Sequence, residues 1–197
     1  MTNKLKIIGL TGPAGCGKST VADVLCCQHD FRYIALADPI KHGLCKMLEI
    51  DHDYFVNPAL KNELLNDVIG INITPRRLMQ TLGIEWGRKL VDLDIWTKLA
   101  QRKLDYLQRL NNAGNAVIAG VVVTDIRFEG EAHWLREQGG EIWHISRPNN
   151  PNAIAADHES EHGVTLKPGD VTITNDGTLS DLESIVNAIM EPMEAMR

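Results

Sequence analysis

An α/β fold, a parallel sheet with helices on both faces, is what this 197-residue chain predicts. Three observations carry that expectation. The apolar run Ile7-Ile8-Gly9-Leu10 passes through the glycine-rich octapeptide Gly12-Pro13-Ala14-Gly15-Cys16-Gly17-Lys18-Ser19 into a helical pattern that opens Thr20-Val21-Ala22. The stretch 116–123 (AVIAGVVV) is apolar on both faces, as a central parallel strand should be. Strand and helix patterns then alternate to the C-terminus, and in such a sheet ligands bind beyond the carboxyl ends of the strands.

Taken in order, the first strand is followed by a helix expected over 18–28, and Phe31-Arg32-Tyr33-Ile34-Ala35-Leu36 is a short β-prone run. Ala37-Asp38-Pro39-Ile40-Lys41 opens another helix, because proline suits a first helical turn. Its apolar face reads Ile40, Leu44, Met47 and Leu48, and it ends near Glu49. A polar, loop-rich stretch follows. Thr74 as N-cap and Pro75 at the first position start a helix that carries Leu78, Met79 and Leu82 toward Trp86-Gly87-Arg88. A second amphipathic helix over 94–110 is marked by Ile95, Leu99, Leu104 and Leu107, and strand 116–123 then stops at Thr124-Asp125. Beyond it lie a helix at 129–138 closed by Gly139-Gly140, a strand at 141–145, a long polar loop at 147–168, a strand at 171–174, a turn at Asn175-Asp176-Gly177 and a terminal helix at 179–193.

Composition narrows the function classes. A net charge of −6 argues against a broad nucleic-acid or anionic-membrane surface, since binding a polyanion depends on clustered lysine and arginine. Small phosphorylated ligands remain open. Cys16, Cys26, Cys27 and Cys45 show no zinc spacing and suit a reducing setting. No signal segment and no apolar stretch of membrane-spanning length is present, so a cytoplasmic protein is expected, with no nucleic-acid or membrane partner. His158 and His162 with Glu159 and Glu161 fit an exposed loop better than a metal cluster. Three of the four tryptophans fall on apolar helix or strand positions; Trp86, beside Gly87-Arg88, is the candidate to stack on a base.

The octapeptide has the form of a Walker A loop. Glycines at 12, 15 and 17 permit backbone angles closed to residues with a Cβ, so successive N–H groups turn inward around phosphates. The backbone of Gly12, Ala14, Gly15, Cys16 and Gly17, with Lys18, Ser19 and Thr20 at the helix start, forms the candidate ATP site. Lys18 reaches the β/γ oxygens, and the Ser19 hydroxyl is placed to ligate Mg²⁺. An apolar strand ending in an acid is what the partner position requires, which nominates Asp125 for the same ion. Arg127, two residues on, offers a bidentate guanidinium to a phosphate; its alternative is a surface ion pair with Glu129 or Glu131. Asp38 contacts an acceptor or merely caps the helix from Pro39, and Lys41 either joins it or is solvated.

The Walker A loop, Ala37-Asp38-Pro39-Ile40-Lys41, the TPRRLMQTLG block at 74–83 with Glu85-Trp86-Gly87-Arg88, Thr124-Asp125-Ile126-Arg127-Phe128, His158-Glu159-Ser160-Glu161 and Asn175-Asp176-Gly177-Thr178-Leu179 together resemble the phage and prophage deoxynucleoside monophosphate kinases. The resemblance spans essentially the whole chain. It implies one P-loop kinase domain over 1–197 with a five-stranded parallel sheet, a helical substrate-binding region at about 37–115 and a mobile lid at about 147–168. The activity it implies is transfer of the ATP γ-phosphoryl group to a deoxynucleoside monophosphate, by a monomer or homodimer, in the host cytoplasm if phage-encoded. The acceptor pocket it implies draws on Asp38, Lys41, Arg76, Arg77, Trp86, Arg88 and Arg127. Phosphoryl transfer needs charge neutralisation more than covalent chemistry, so Lys18, Arg127, Arg147 and Asp38 are the candidate catalytic groups. One of the tandem Arg76 and Arg77 faces the acceptor and its neighbour, about 100° round the helix, faces solvent. The competing readings are a dephospho-coenzyme A kinase and a non-kinase P-loop ATPase module. A GTP-binding switch lacks its Asn-Lys-x-Asp segment here.

Overall fold

In a computed structural model of the chain, which describes residues 4–148 and 163–194, five strands form one parallel sheet in the order β2-β3-β1-β4-β5. These are β1 (Lys6–Thr11), β2 (Phe31–Ile34), β3 (Gly120–Val123), β4 (Glu141–Ser146) and β5 (Val171–Thr174). β1 lies at the centre, pairing Ile8 with Val122 on one side and Leu10 with Trp143 on the other. Its five residues after Lys6 are all buried, as both faces of a central parallel strand must be.

Two compact units make up the chain, residues 1–35 with 101–197 and residues 36–100. The first holds the sheet. Its helices are α1 (Lys18–Gln28), the distal half of α6 (Ile95–Asn112), α7 (Glu129–Glu137) and α8 (Leu179–Glu194). On one face of the sheet, Val21 and Leu25 of α1 and Leu182, Val186 and Met190 of α8 close over Ile8, Leu10 and Trp143. The second unit contains α2 (Asp38–Leu48), the single turns α3 (Asp53–Val56) and α4 (Asn66–Ile69), α5 (Pro75–Gln80) and the start of α6. Thr74 caps α5 as its type predicts, its hydroxyl accepting from the Arg77 N–H at 3.2 Å. The helix then widens over Thr81–Val91 into a π-type run that ends with the Asp92 N–H on the Gly87 carbonyl five residues back.

Several local expectations are corrected. The strand expected at 116–123 forms only from Gly120: Val117 is 80% exposed, and the Ile118 N–H donates to the Asn111 side chain at 3.1 Å. The loop-like stretch after α2 contains short helical turns that bury Phe55 and Leu65. Met47 is exposed although Ile40 and Leu44 of the same helix are buried. Trp96 and Trp143 are core residues, as expected, while Trp86 is 46% exposed. Among the described residues no helix is long and apolar enough to cross a membrane.

Candidate functional site

The sequence between β1 and α1 folds into a loop because its glycines allow it. Gly12, Gly15 and Gly17 have φ of 141°, 74° and 111°. At Gly17 the cost of any side chain is double: the conformation is left-handed, and a Cβ would stand 2.7 Å from Asn175 Nδ2. α1 starts directly after it with no side-chain cap and no acid in its first turn. Its first N–H groups are therefore left for an anionic ligand at the positive end of the helix.

Lys18 lies over this loop. Its Nζ donates to the Gly12 carbonyl at 2.8 Å and the Pro13 carbonyl at 2.7 Å, and stands 3.7 Å from Cys16 Sγ. Burial, with Arg127 adding to it, holds the ammonium below its ordinary pKa, against opposing contributions from Cys16 and Asp125. A phosphate arriving here would reverse that deficit. Asp125 and Arg127, two and four residues beyond β3, are thus near enough to Lys18 to act on its charge.

A cavity of about 400 Å³ opens beside the loop. Gly15, Gly17, Lys18, Ser19 and Thr20 line one wall, and Arg147, just past β4, reaches it as well. The far wall is the loop after β5, with Asn175, Thr178 and Leu179. Asp181 shapes that loop by accepting from both the N–H and the hydroxyl of Thr178 at 2.7 Å. Asn175 joins the two walls: its backbone N–H donates to the Ser146 carbonyl at 2.8 Å and its Nδ2 to the Cys16 carbonyl at 2.9 Å.

The carboxylates named as alternative partners for Arg127 both accept from backbone N–H groups. Buried Glu131, the third residue of α7, accepts from the N–H groups of Arg127 at 2.7 Å and Phe128 at 3.1 Å. Glu129 accepts from the Thr165 N–H. Neither Glu131 nor Asn175 stood out as a site residue in the sequence. Glu131 was legible as the acidic half of a capping arrangement at the start of α7; Asn175 lies in the 175–179 segment that carries the resemblance, but its contact with Cys16, 159 residues away, had no local signal.

The remaining candidates belong to the unit 36–100. Asp38 does not cap α2: Ala37 occupies the cap, and Asp38 sits inside the first turn, paired with Lys41 at 3.1 Å. Lys41 is accordingly not simply solvated. Of the tandem arginines, Arg76 is half-buried with its Nε on Asn62 Oδ1 at 3.0 Å, and Arg77 is exposed. Arg88 is half-buried. Trp86 and Arg88 sit two residues apart on the π-type run. Of the lid expected at about 147–168, residues 149–162, with His158 and Glu161, lie outside the described residues.

The chain is similar in sequence and fold to known proteins. A putative deoxynucleotide monophosphate kinase of Acanthamoeba polyphaga mimivirus is 29% identical over 96% of this chain and 98% of its own length. The deoxynucleotide monophosphate kinase of Enterobacteria phage T4 is 36% identical over 55% of this chain, which spans only 42% of that protein. A dephospho-CoA kinase structure from Campylobacter jejuni superimposes with a TM-score of 0.50 at 19% identity, covering 95% of this chain and 96% of its own, a likeness of fold. The family model for deoxynucleotide monophosphate kinase matches residues 59–186, well over half of the sequence, and the chain belongs to that family.

Proposed function

We infer that the chain is an ATP-dependent deoxynucleoside monophosphate kinase, moving the γ-phosphoryl group of ATP to a deoxynucleoside monophosphate to give ADP and the diphosphate. The observation that carries this reading is the family match over 59–186, which takes in both the 75–91 helical block and the Asp125 strand end. The site geometry supports it. A glycine-rich loop, a half-buried lysine and Arg147 share one cavity, which is what a polyphosphate requires.

In this reading the loop and the first turn of α1 cradle the ATP phosphates. Lys18 leaves the Gly12 and Pro13 carbonyls for the β/γ oxygens. The Ser19 hydroxyl and the Asp125 carboxylate are hard oxygen donors of the kind Mg²⁺ takes, and they would hold it together with nucleotide oxygens. Among the described residues no group of three His, Cys, Asp or Glu is poised for a metal, which fits an ion shared with the nucleotide rather than caged by protein. When bound, that ion neutralises charge on the phosphates. Arg127 and Arg147 stabilise the transferring group, whose charge spreads over its equatorial oxygens. The unit 36–100 supplies the acceptor side: Asp38 with Lys41, Arg76, Arg77, Trp86 and Arg88.

The test is a coupled ADP-release assay of the purified chain with MgATP across the four deoxynucleoside monophosphates, AMP and dephospho-coenzyme A. ADP production stimulated by one or more deoxynucleotides above AMP and dephospho-coenzyme A is expected. Turnover on dephospho-coenzyme A alone would transfer the reading to that class. ADP release indifferent to every acceptor would make the chain an ATPase module.

A further inference from the structure

A phosphate loop turns its N–H groups toward the ligand, so its carbonyls point outward and each needs a donor. Besides the backbone N–H groups of Cys16, on Pro13, and Val21, on Gly17, two side chains of the described residues donate to them. Lys18 Nζ serves the Gly12 and Pro13 carbonyls, and it must give them up to reach a phosphate. Asn175 Nδ2 serves the Cys16 carbonyl at 2.9 Å, and nothing in phosphate binding requires it to leave. Its own backbone is fixed by the N–H bond to Ser146 at the end of β4. The fit on the other side is just as tight, since Gly17 has no room for a Cβ beneath the Asn175 amide. The same amide lines the cavity with Lys18 and Ser19.

We propose that Asn175 is a positioning residue of the nucleotide site: by holding the Cys16 carbonyl it keeps the phosphate loop in its binding curve while Lys18 exchanges loop carbonyls for phosphate. The proposal rests on reading residues 12–19 as the ATP phosphate loop. It makes Asn175 specific to the donor nucleotide, with no part in acceptor binding. A purely architectural role would look different. Asn187 offers the comparison, because it also ties α8 to the end of α1, through Gln28 at 3.0 Å and His29 at 2.8 Å, but at a place away from the cavity.

The experiment measures MgADP binding by calorimetry, steady-state kinetics and thermal midpoints for the wild type, Asn175→Ala, Asn175→Asp and Asn187→Ala. Asn175→Asp has the same size but replaces the donor with an oxygen facing the Cys16 carbonyl, so it reports on the hydrogen bond even if the alanine variant folds poorly. Both Asn175 variants are expected to weaken MgADP binding and raise the ATP KM about tenfold, the loss of one net hydrogen bond, with the acceptor KM unchanged. Asn187→Ala is expected to lower the thermal midpoint and leave MgADP affinity alone. Wild-type MgADP affinity in both Asn175 variants, an equal loss in Asn187→Ala, or a parallel rise in acceptor KM would each overturn the proposal. A wild type that binds MgADP tightly but phosphorylates no deoxynucleotide would defeat the proposed activity and leave the role of Asn175 standing.

Discussion

Lys18 is half-buried over a loop that gives its ammonium two carbonyls, and its lowered pKa records the cost of keeping a charge there. Removing the group therefore costs the folded chain little while it costs the reaction much. Lys18→Ala is expected to leave the thermal midpoint at or near that of the wild type and to lower kcat on the order of 10²–10³-fold, the usual loss for a preorganised donor on developing charge. Near-normal turnover in the folded variant would remove the lysine from the site. Glu131 presents the opposite balance. Its buried carboxylate satisfies two consecutive N–H groups, and losing it leaves both unpaired at a cost of about 1–3 kcal/mol. Because one of those N–H groups belongs to Arg127, Glu131→Ala is expected to reduce kcat as well as stability, with Glu131→Gln retaining more of both. Melting curves and kcat for the two variants decide it; a destabilised alanine variant with full kcat would confine Glu131 to holding the loop. Of these two residues only Lys18 could be picked from the sequence, because its role follows from its place in an eight-residue pattern. That Glu131 turns its carboxylate back on Arg127 depends on where α7 begins.

At the scale of elements, the segment 75–91 shows a helix that changes along its length. Thr74 and Pro75 start it as their types dictate, but beyond Gln80 it widens to a π-type run, in which N–H groups bond carbonyls five residues back. Trp96, on the following helix, reaches this run: its Nε1 donates to the buried Gly83 carbonyl at 2.8 Å. Trp96→Phe removes that hydrogen bond together with part of the buried indole, so the unit 36–100 should lose about 1–3 kcal/mol. Hydrogen exchange should quicken over 81–91 while the amides of β1 and β3 stay protected. Uniform quickening across the sheet as well, or no change at 81–91, would contradict this assignment. The boundaries of α1 and α2 could be read from sequence because their caps and glycines are local. The width of the 81–91 run could not, since no short residue pattern marks bonding five residues back.

The molecule as a whole divides into a sheet unit that carries the phosphate loop and a helical unit that carries the acceptor candidates, so the kinetic constants should separate. Arg88→Ala is expected to raise the KM for the deoxynucleotide about tenfold or more and leave the ATP KM within error. An increase in the ATP KM alone would place Arg88 on the donor side. Stability against acid has its own centre. Burial alone would raise the Asp170 carboxyl, but Arg136 at 2.6 Å, the Lys167 N–H at 2.8 Å and His144 at 3.1 Å outweigh it and hold it below the usual carboxylate range. The folded chain thus binds fewer protons there than the unfolded one. That stabilisation is complete above the unfolded value of about 4 and disappears as pH falls through the depressed folded one. Asp170→Asn should therefore lower the thermal midpoint at pH 7, and the gap from wild type should close below about pH 4. A gap of constant size across that range would show that the carboxylate's charge is not what matters.

The sequence by itself determined the five strands, their principal helices, the parallel sheet and the glycine-rich loop that runs into Lys18 and Ser19, because each rests on patterns a few residues long: apolar runs, caps, and glycines where φ turns positive. It also located Asp125 and Arg127 at a strand end, since the end of an apolar run is local too. Only the tertiary structure decided that the strand begins at Gly120, that Asp38 pairs with Lys41 rather than capping α2, and that Arg76 is half-buried against Asn62 while Arg77 is exposed. It alone brought Asn175 to Cys16 and set Arg147 on the same cavity. These contacts join residues far apart in the chain, and their geometry is fixed by packing of the sheet and helices as a whole, which no short window of sequence encodes.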